Sequence, residues 1–197
     1  MSSLPLAMAA PPEHRPGDEL GRSYTPDHVA TAIVERLVDD GCSFARVVEP
    51  CVGGGAFVRA IKRFKAGTAS EITGVDLDPG APGLDLCQRP MVGDAAGEAL
   101  AFRRFDLAIT NPPFGPDVGQ AVTLAIVRNA RHVAEQTVML LPGDYLTQVG
   151  WADLVAECAE VWPIVGRVWS HTRGMVVLVW DERHQGPTLF RPLRVRP

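Results

Sequence analysis

Short β-rich runs alternate with helical patterns along most of this sequence, and this order restricts the possible folds more than any other feature. The β-rich runs cover residues 46–50, 71–77, 90–92, 105–110, 137–141, 161–168 and 175–180. Apolar residues at helical spacing cover residues 27–39, 56–65, 121–133 and 151–160. Such alternation predicts an α/β fold, a mainly parallel sheet with helices on both faces. The stretch 78–89 is rich in Gly, Pro and Asp, so we expect little or no helix after the second strand.

Size and composition indicate one globular domain. The chain has 197 residues, of which 46% are hydrophobic and 21% charged. No apolar run approaches the roughly 18 residues of a membrane span, and residues 1–16 lack the features of a signal peptide. We expect a flexible tail at 1–20, the domain at 21–183 and a basic surface tail at 184–197.

The four cysteines form no C-x-x-C pair and no metal-type spacing with histidine. We therefore expect reduced, buried thiols in a cytoplasmic protein, with no metal site.

A glycine-rich turn at residues 49–57 follows the first predicted strand. Ligands of doubly wound sheets bind beyond the carboxyl ends of the strands, and glycines let the backbone approach a ligand closely. Glu49 adds a carboxylate suited to a cationic group. The spacing is not G-x-G-x-x-G and no Lys-Ser/Thr follows, which excludes a phosphate-binding P-loop.

Acidic residues follow the second and third predicted strands. Asp76 comes some twenty residues after the glycines, where a carboxylate can accept hydrogen bonds from ribose hydroxyls. A cap or turn role suits Asp76 equally well. Asp94 is a weaker case of the same argument.

The sequence Asn-Pro-Pro-Phe at residues 111–114 ends the fourth predicted strand. Its prolines predict a rigid, extended turn that gathers the Asn111 side chain, the Pro112 carbonyl and the Phe114 ring around one point. An amino group on an aromatic ring is a poor nucleophile, because its lone pair is delocalised. Two acceptors that hold its hydrogens would direct that lone pair at a methyl group, and Phe114 would stack on a flat base or amide.

Taken in order, these segments resemble the class I S-adenosylmethionine-dependent amino-methyltransferases with an N-P-P-[YF] motif, most of all the gamma-group DNA adenine-N6 methyltransferases. The matching segments are Tyr24-Thr25-Pro26 and residues 49–57, 75–79, 93–94, 111–114, 140–142 and 179–181. The resemblance implies a Rossmann-like sheet of seven strands with an antiparallel last strand. It further implies S-adenosylmethionine as cofactor and adenine N6 in DNA as the methyl acceptor.

The resemblance also assigns the site residues. Its cofactor-binding set is Tyr24, Thr25, Glu49, Gly53, Gly55, Phe57, Asp76, Asp94 and Asn111. In that set Thr25 would contact the methionine carboxylate and Glu49 the amino group. Asp76 would bind the ribose hydroxyls and Asp94 the adenine amino group. The catalytic set, which would hold the target amine and stack on its ring, is Asn111, Pro112, Pro113 and Phe114.

Two features depart from sequence-specific DNA methyltransferases. The formal net charge is −4, which disfavours a grip on nucleic acid through bulk charge, and no separate target-recognition domain is evident. We therefore expect relaxed specificity or a specificity subunit as partner. The basic cluster Arg183, Arg191, Arg194 and Arg196 is the best candidate for a phosphate contact.

Other functions remain open at this point. Adenine in RNA needs the same chemistry on a splayed base. A protein glutamine amide fits the same pocket, although enzymes of that kind usually carry a helical N-terminal domain, for which the first twenty residues are too short. A non-enzymatic cofactor-binding subunit predicts eroded Asn-Pro-Pro-Phe or glycine motifs, and neither motif is eroded.

Overall fold

The protein folds around one mixed sheet. The structure, a computed structural model, describes residues 23–64, 71–97, 100, 104–115, 118–169 and 174–196. The helices are α1 (Asp27–Asp39), α2 (Ala56–Phe64), α3 (Gln120–Val133) and α4 (Ala152–Ala156). The strands are β1 (Arg46–Glu49), β2 (Glu71–Asp76), β3 (Arg89–Val92), β4 (Phe105–Thr110), β5 (Ala134–Pro142), β6 (Glu160–Val165), β7 (Met175–Asp181), β8 (Leu189–Phe190) and β9 (Leu193–Arg194). The predicted N-terminal tail lies outside the described residues.

The strand order confirms the predicted Rossmann-like fold. The sheet runs β3-β2-β1-β4-β5-β7-β6-β8, with β9 pairing to β6. Strands β1 to β5 are mutually parallel, whereas β7 pairs antiparallel with both β5 and β6. The expected antiparallel strand is therefore inserted between two parallel neighbours.

Two apolar layers cover the sheet. Helices α1 and α2 pack on one face, where Val29, Ile33 and Phe57 are buried at helical spacing. Helix α3 packs on the other face through Ile126 and Val127. As expected after β2, the chain forms only a 3₁₀ turn, Leu84–Leu86, before β3. None of the described helices is long and apolar enough to span a bilayer.

The helix predicted at residues 151–160 is much shorter in the structure. Only Ala152–Ala156 is α-helical, and two 3₁₀ turns precede it. Trp151, the first apolar residue of this stretch, lies in a 3₁₀ turn and is fully buried. Its ring centroid is 4.7 Å from that of Tyr145. The helix ends early because the Ala159 N–H donates to Val179 O at 2.8 Å, which already places this residue beside β7.

The C-terminal stretch is not the surface tail that its sequence predicts. Strands β8 and β9 both pair with β6 and extend the sheet to nine strands, not seven. Leu193 and Val195 are buried against the helix α1 face, so their alternation with arginines reflects a sheet edge. Arg191 donates to Asp40 Oδ1 at 3.0 Å and to Glu160 Oε2 at 2.9 Å.

Candidate active site

A cleft lies at the carboxyl ends of β1, β2 and β4, as doubly wound sheets predict. The structure brings together ten of the residues proposed from sequence. They are Tyr24, Thr25, Glu49, Gly53, Gly55, Asp76, Asp94, Asn111, Pro112 and Pro113. Since parallel strands end at one edge of the sheet, segments far apart in sequence meet here.

Glu49 supplies a buried carboxylate to the cleft. It is only 3% exposed, and its Oε2 atom has no hydrogen-bond partner among the residues that the structure describes. Burial raises its pKa well above the ordinary value, although the Val58 N–H and the charge of Arg59 partly offset that effect. A buried carboxylate oxygen without a donor is costly, so this position favours a bound cation or a proton.

The glycine turn is held by Asp76. Its Oδ2 atom accepts from Gly53 N at 2.8 Å and its Oδ1 atom from Asp78 N at 3.0 Å. Each carboxylate oxygen has a second lone pair, which leaves capacity for a ligand hydroxyl. Asp76 therefore shapes the turn as well as lining the cleft.

Gly83 packs directly on the glycine turn. Its N–H donates to Gly53 O at 2.8 Å, and a Cβ atom at residue 83 would lie 2.8 Å from Gly55 N. Gly55 itself has a φ of +75°, the left-handed region that glycine adopts without strain. Sequence spacing does not reveal the role of Gly83, because that role depends on how the chain returns after β2.

Asp94 lines the cleft beyond β3. Its Oδ1 atom accepts from the backbone N–H of Ala96 at 2.8 Å and thereby closes a tight turn. Asn129 of helix α3 donates to Ala95 O at 3.0 Å and fixes this turn from the other side.

Asn111 is fixed in one orientation. Its Nδ2 atom donates to the carbonyl of Ser23 at 2.7 Å, while its Oδ1 atom is buried and has no partner. The turn after Asn111 is secured by the buried Thr123 hydroxyl, which donates to Pro113 O at 2.7 Å. The site therefore contains a preorganised acceptor that no described residue satisfies.

The segment before α1 covers one side of the cleft. The Tyr24 ring lies against the glycine turn, because a Cβ atom at Gly53 would be 3.1 Å from Tyr24 Cε1. The Trp169 indole N–H donates to Tyr24 O at 3.0 Å. Trp169 thus joins the segment after β6 to the segment that orients Asn111.

Two residues of the sequence-based set lie outside the cleft lining. Phe57 is only 1% exposed and packs in the core, because its position on α2 faces the sheet. That placement argues against the cofactor contact expected for it. Phe114 is partly buried and packs edge-to-face on Trp169, with ring centroids 6.1 Å apart. Its stacking role with a substrate remains a prediction.

Arg59 was not anticipated from the sequence. It lines the cleft and donates to Gly54 O at 2.5 Å, and its Nη2 atom lies 2.6 Å from Asp27 Oδ1. Its positive charge acts on the carboxyl group of Glu49 and lowers the pKa of that group. Only the packing of α1 against α2 brings Arg59 and Asp27 together, so sequence spacing could not reveal the pair.

Cys51 also lines the cleft. Burial raises the pKa of its thiol, and the carboxylates of Asp76 and Glu49 raise it further. A thiol kept protonated is a poor nucleophile, so the geometry does not favour covalent catalysis. Within the described part of the chain, no group of His, Cys, Asp or Glu side chains is arranged to hold a metal ion.

No protein-family model and no curated protein sequence matches this chain. Solved structures do match it. A candidate class I S-adenosylmethionine-dependent methyltransferase from Listeria monocytogenes superposes with a TM-score of 0.69 at 16% identity, covering 90% of this chain and 68% of that one. A type I restriction-modification methyltransferase subunit from Streptococcus thermophilus superposes with a TM-score of 0.68 at 14% identity, covering 89% of this chain.

This chain spans 48% of the length of that restriction-modification subunit. Magnesium protoporphyrin IX methyltransferase from Synechocystis, solved with bound S-adenosylmethionine, matches with a TM-score of 0.54 at 14% identity and covers 78% of this chain and 77% of that one. At such identities the likeness shows a shared fold, and the chemistry has to be argued from the residues of this cleft.

Proposed function

We propose that this protein transfers a methyl group from S-adenosylmethionine to an exocyclic amino nitrogen, the N6 atom of adenine in DNA. The main support for this proposal is the position of Asn111. Asn111 presents a buried Oδ1 acceptor without a partner, at the carboxyl edge of the sheet and inside the cleft. A site with an unsatisfied acceptor of this kind selects a ligand that brings an N–H donor.

The charges of the cleft suit the proposed cofactor. S-adenosylmethionine supplies an electrophilic methyl group on a sulfonium, and it carries an ammonium group as well. The unpartnered Oε2 atom of Glu49 would accept from that ammonium group. The cation of Arg59, on the same wall, would favour the cofactor carboxylate, to which Thr25 would also donate.

Asp76 and Asp94 would complete the cofactor site. The second lone pairs of Asp76 would accept from ribose hydroxyls, since its backbone bonds use one lone pair on each oxygen. Asp94 would accept from the adenine amino group of the cofactor through the oxygen that the Ala96 turn leaves. Asp76 ends β2 and Asp94 follows β3, so both carboxylates lie at the edge of the sheet where the cleft is.

Asn111 would act on the target amine. Its Oδ1 atom would accept one amino hydrogen and the Pro112 carbonyl the other, which directs the nitrogen lone pair at the methyl group. No general base is needed for that attack, because the methylated nitrogen can release its proton afterwards. The chain contributes orientation and a fixed dipole rather than covalent chemistry.

DNA is the proposed substrate on two grounds. The Asn-Pro-Pro-Phe segment and its neighbours resemble the gamma-group adenine enzymes, and a restriction-modification methyltransferase subunit shares the fold. We further propose that sequence specificity is relaxed or is supplied by a partner.

The test is methyl labelling of candidate substrates. The protein is incubated with tritiated S-adenosylmethionine and, separately, duplex DNA, single-stranded DNA, total RNA and cell protein. We expect label in DNA, recovered after nuclease digestion as N6-methyl-2′-deoxyadenosine. Label that appears only in RNA or in protein glutamine would contradict the proposed substrate, and the absence of label from every substrate would contradict the enzymatic function.

A further inference from the structure

Strand β6 ends at the same edge of the sheet as the strands that form the cleft. Strand β6 runs parallel to β5 and β4, because both β5 and β6 pair antiparallel with β7. Strand β6 therefore ends at the same edge as the cleft. Three strand spacings separate β6 from β4, which is about 14 Å.

The segment that follows β9 also lies at this edge. It runs parallel to β6, with Val165 opposite Arg194. Gly166 follows with a φ of +135°, and a Cβ atom there would lie 2.7 Å from Val195 O. The segments that follow β6 and β9 therefore approach each other closely where they leave the sheet. Arg167 belongs to the first segment and Arg196 to the second.

Three arginines at this edge are exposed. Arg167, Arg194 and Arg196 have no ion pair with any residue that the structure describes. Two other arginines of the expected basic cluster differ from them. Arg191 is ion-paired with Asp40 and Glu160, and Arg183 with Asp181.

We propose that Arg167, Arg194 and Arg196 form a phosphate-binding surface for the DNA strand that enters the cleft; this inference rests on the proposed function. Trp169, two residues after Arg167, donates to Tyr24 O, and Tyr24 lines the cleft. Two residues of chain span at most about 7 Å, which keeps Arg167 near the reaction point. With one phosphate per about 3.4 Å of rise, the surface reaches phosphates within about four nucleotides of the target base.

The charge distribution supports this placement. The carboxylates Glu49, Asp76 and Asp94 lie in the cleft lining, where they face the proposed cofactor. The arginines lie outside the cleft lining, at the same edge of the sheet, where β6 and β9 end. A negative net charge is therefore compatible with DNA binding, because the positive charge is concentrated where a backbone would pass.

The test measures DNA affinity as a function of salt. A fluorescein-labelled 15-base-pair DNA duplex containing adenines is titrated with wild-type protein and with the triple variant R167Q/R194Q/R196Q. We expect the slope of log K against log salt to decrease in magnitude by about 2.7, since each phosphate contact on B-DNA contributes about 0.9. Cofactor affinity should be unchanged in the variant, which shows that its fold is retained.

A charge-matched variant provides the control. Arg63, Arg104 and Arg183 are exposed and lie at the opposite edge of the sheet, at the end of α2, before β4 and after β7. R63Q/R104Q/R183Q should keep the wild-type salt slope. Equal slopes for all three proteins, with DNA still methylated by the wild type, would overturn the phosphate surface alone. A wild type that neither binds nor methylates the duplex would overturn the proposed function as well.

Discussion

The side chain of Asn111 donates its Nδ2 hydrogen bond to the backbone carbonyl of Ser23 at 2.7 Å, across 88 residues of sequence. A carbonyl oxygen only accepts, so this bond fixes which end of the amide is the nitrogen and which is the oxygen. The Oδ1 atom is buried and has no partner within the described part of the chain. The proposed acceptor for the target amine is thus aimed by a segment that precedes the first helix.

Trp169 should affect turnover through that segment. W169F keeps an aromatic ring against Phe114 but removes the N–H that donates to Tyr24 O at 3.0 Å. Losing a neutral hydrogen bond costs roughly 0.5–1.5 kcal/mol, so we expect kcat to fall by about 2- to 10-fold with little change in cofactor affinity.

The control for Trp169 is W180F. Trp180 donates to Leu154 O at 2.8 Å on the opposite face of the sheet, away from the cleft. Both variants should lose similar stability, measured by thermal unfolding. A kcat that falls equally in W169F and W180F would show that Trp169 acts on the fold only.

Gly83 should be intolerant of a side chain. Its φ of −66° suits any residue, but a Cβ atom would lie 2.7 Å from Val52 Cγ2 and 2.9 Å from Gly53 O. G83A should therefore displace the glycine turn, lower stability by about 1–3 kcal/mol and weaken S-adenosylmethionine binding. G150A is the control, because its nearest neighbour is 4.0 Å away. Calorimetric affinities for G83A equal to those of G150A would contradict the role of Gly83.

We expect the carboxylate of Glu49 to lower the stability of the unliganded protein and to strengthen cofactor binding. Burial raises its pKa well above the ordinary 4.5. Below pH 4.5 the carboxyl is protonated in the folded and the unfolded chain, and its contribution to stability is fully present. As the pH rises, the unfolded chain releases its proton first, so this contribution is lost progressively through the folded pKa.

E49Q mimics the protonated form at every pH. We expect the unliganded variant to be more stable than wild type at neutral pH and to lack this part of the pH dependence, as seen in the melting temperature from pH 4 to 8. Its affinity for S-adenosylmethionine should fall, because the ammonium group loses a charged partner. E35Q, at an exposed position of α1, is the control. A less stable apo E49Q with unchanged cofactor affinity would contradict the assigned role.

Strands β1 to β7 and helices α1 to α3 follow from sequence because their apolar periodicity is local. Strand β4 and helix α1 have the predicted bounds. Strands β8 and β9 could not be predicted, since two-residue strands owe their pairing to β6 and not to their own pattern. The same holds for helix α4, which is shortened by contacts that sequence periodicity does not encode.

Cleft residues that belong to one continuous segment can be predicted from sequence. Cleft residues that depend on contacts between distant segments cannot. The glycine turn and residues 111–113 were placed from spacing, because each follows its own strand. Arg59 and Gly83 depend on tertiary contacts with Asp27 and with the glycine turn. The ring of Phe114 packs on Trp169 between the two apolar layers, which sequence spacing does not reveal, and its stacking on a substrate stays a prediction.

The most direct test of the account is single-turnover methylation by N111A at saturating S-adenosylmethionine. If Oδ1 holds the target amine, removing this preorganised acceptor should lower the rate by about 10²–10³-fold, by analogy with the loss of an oxyanion-hole donor. Cofactor affinity, measured by calorimetry, should stay nearly the same. Transfer at the wild-type rate would contradict the account, and so would a folded N111A that no longer binds the cofactor.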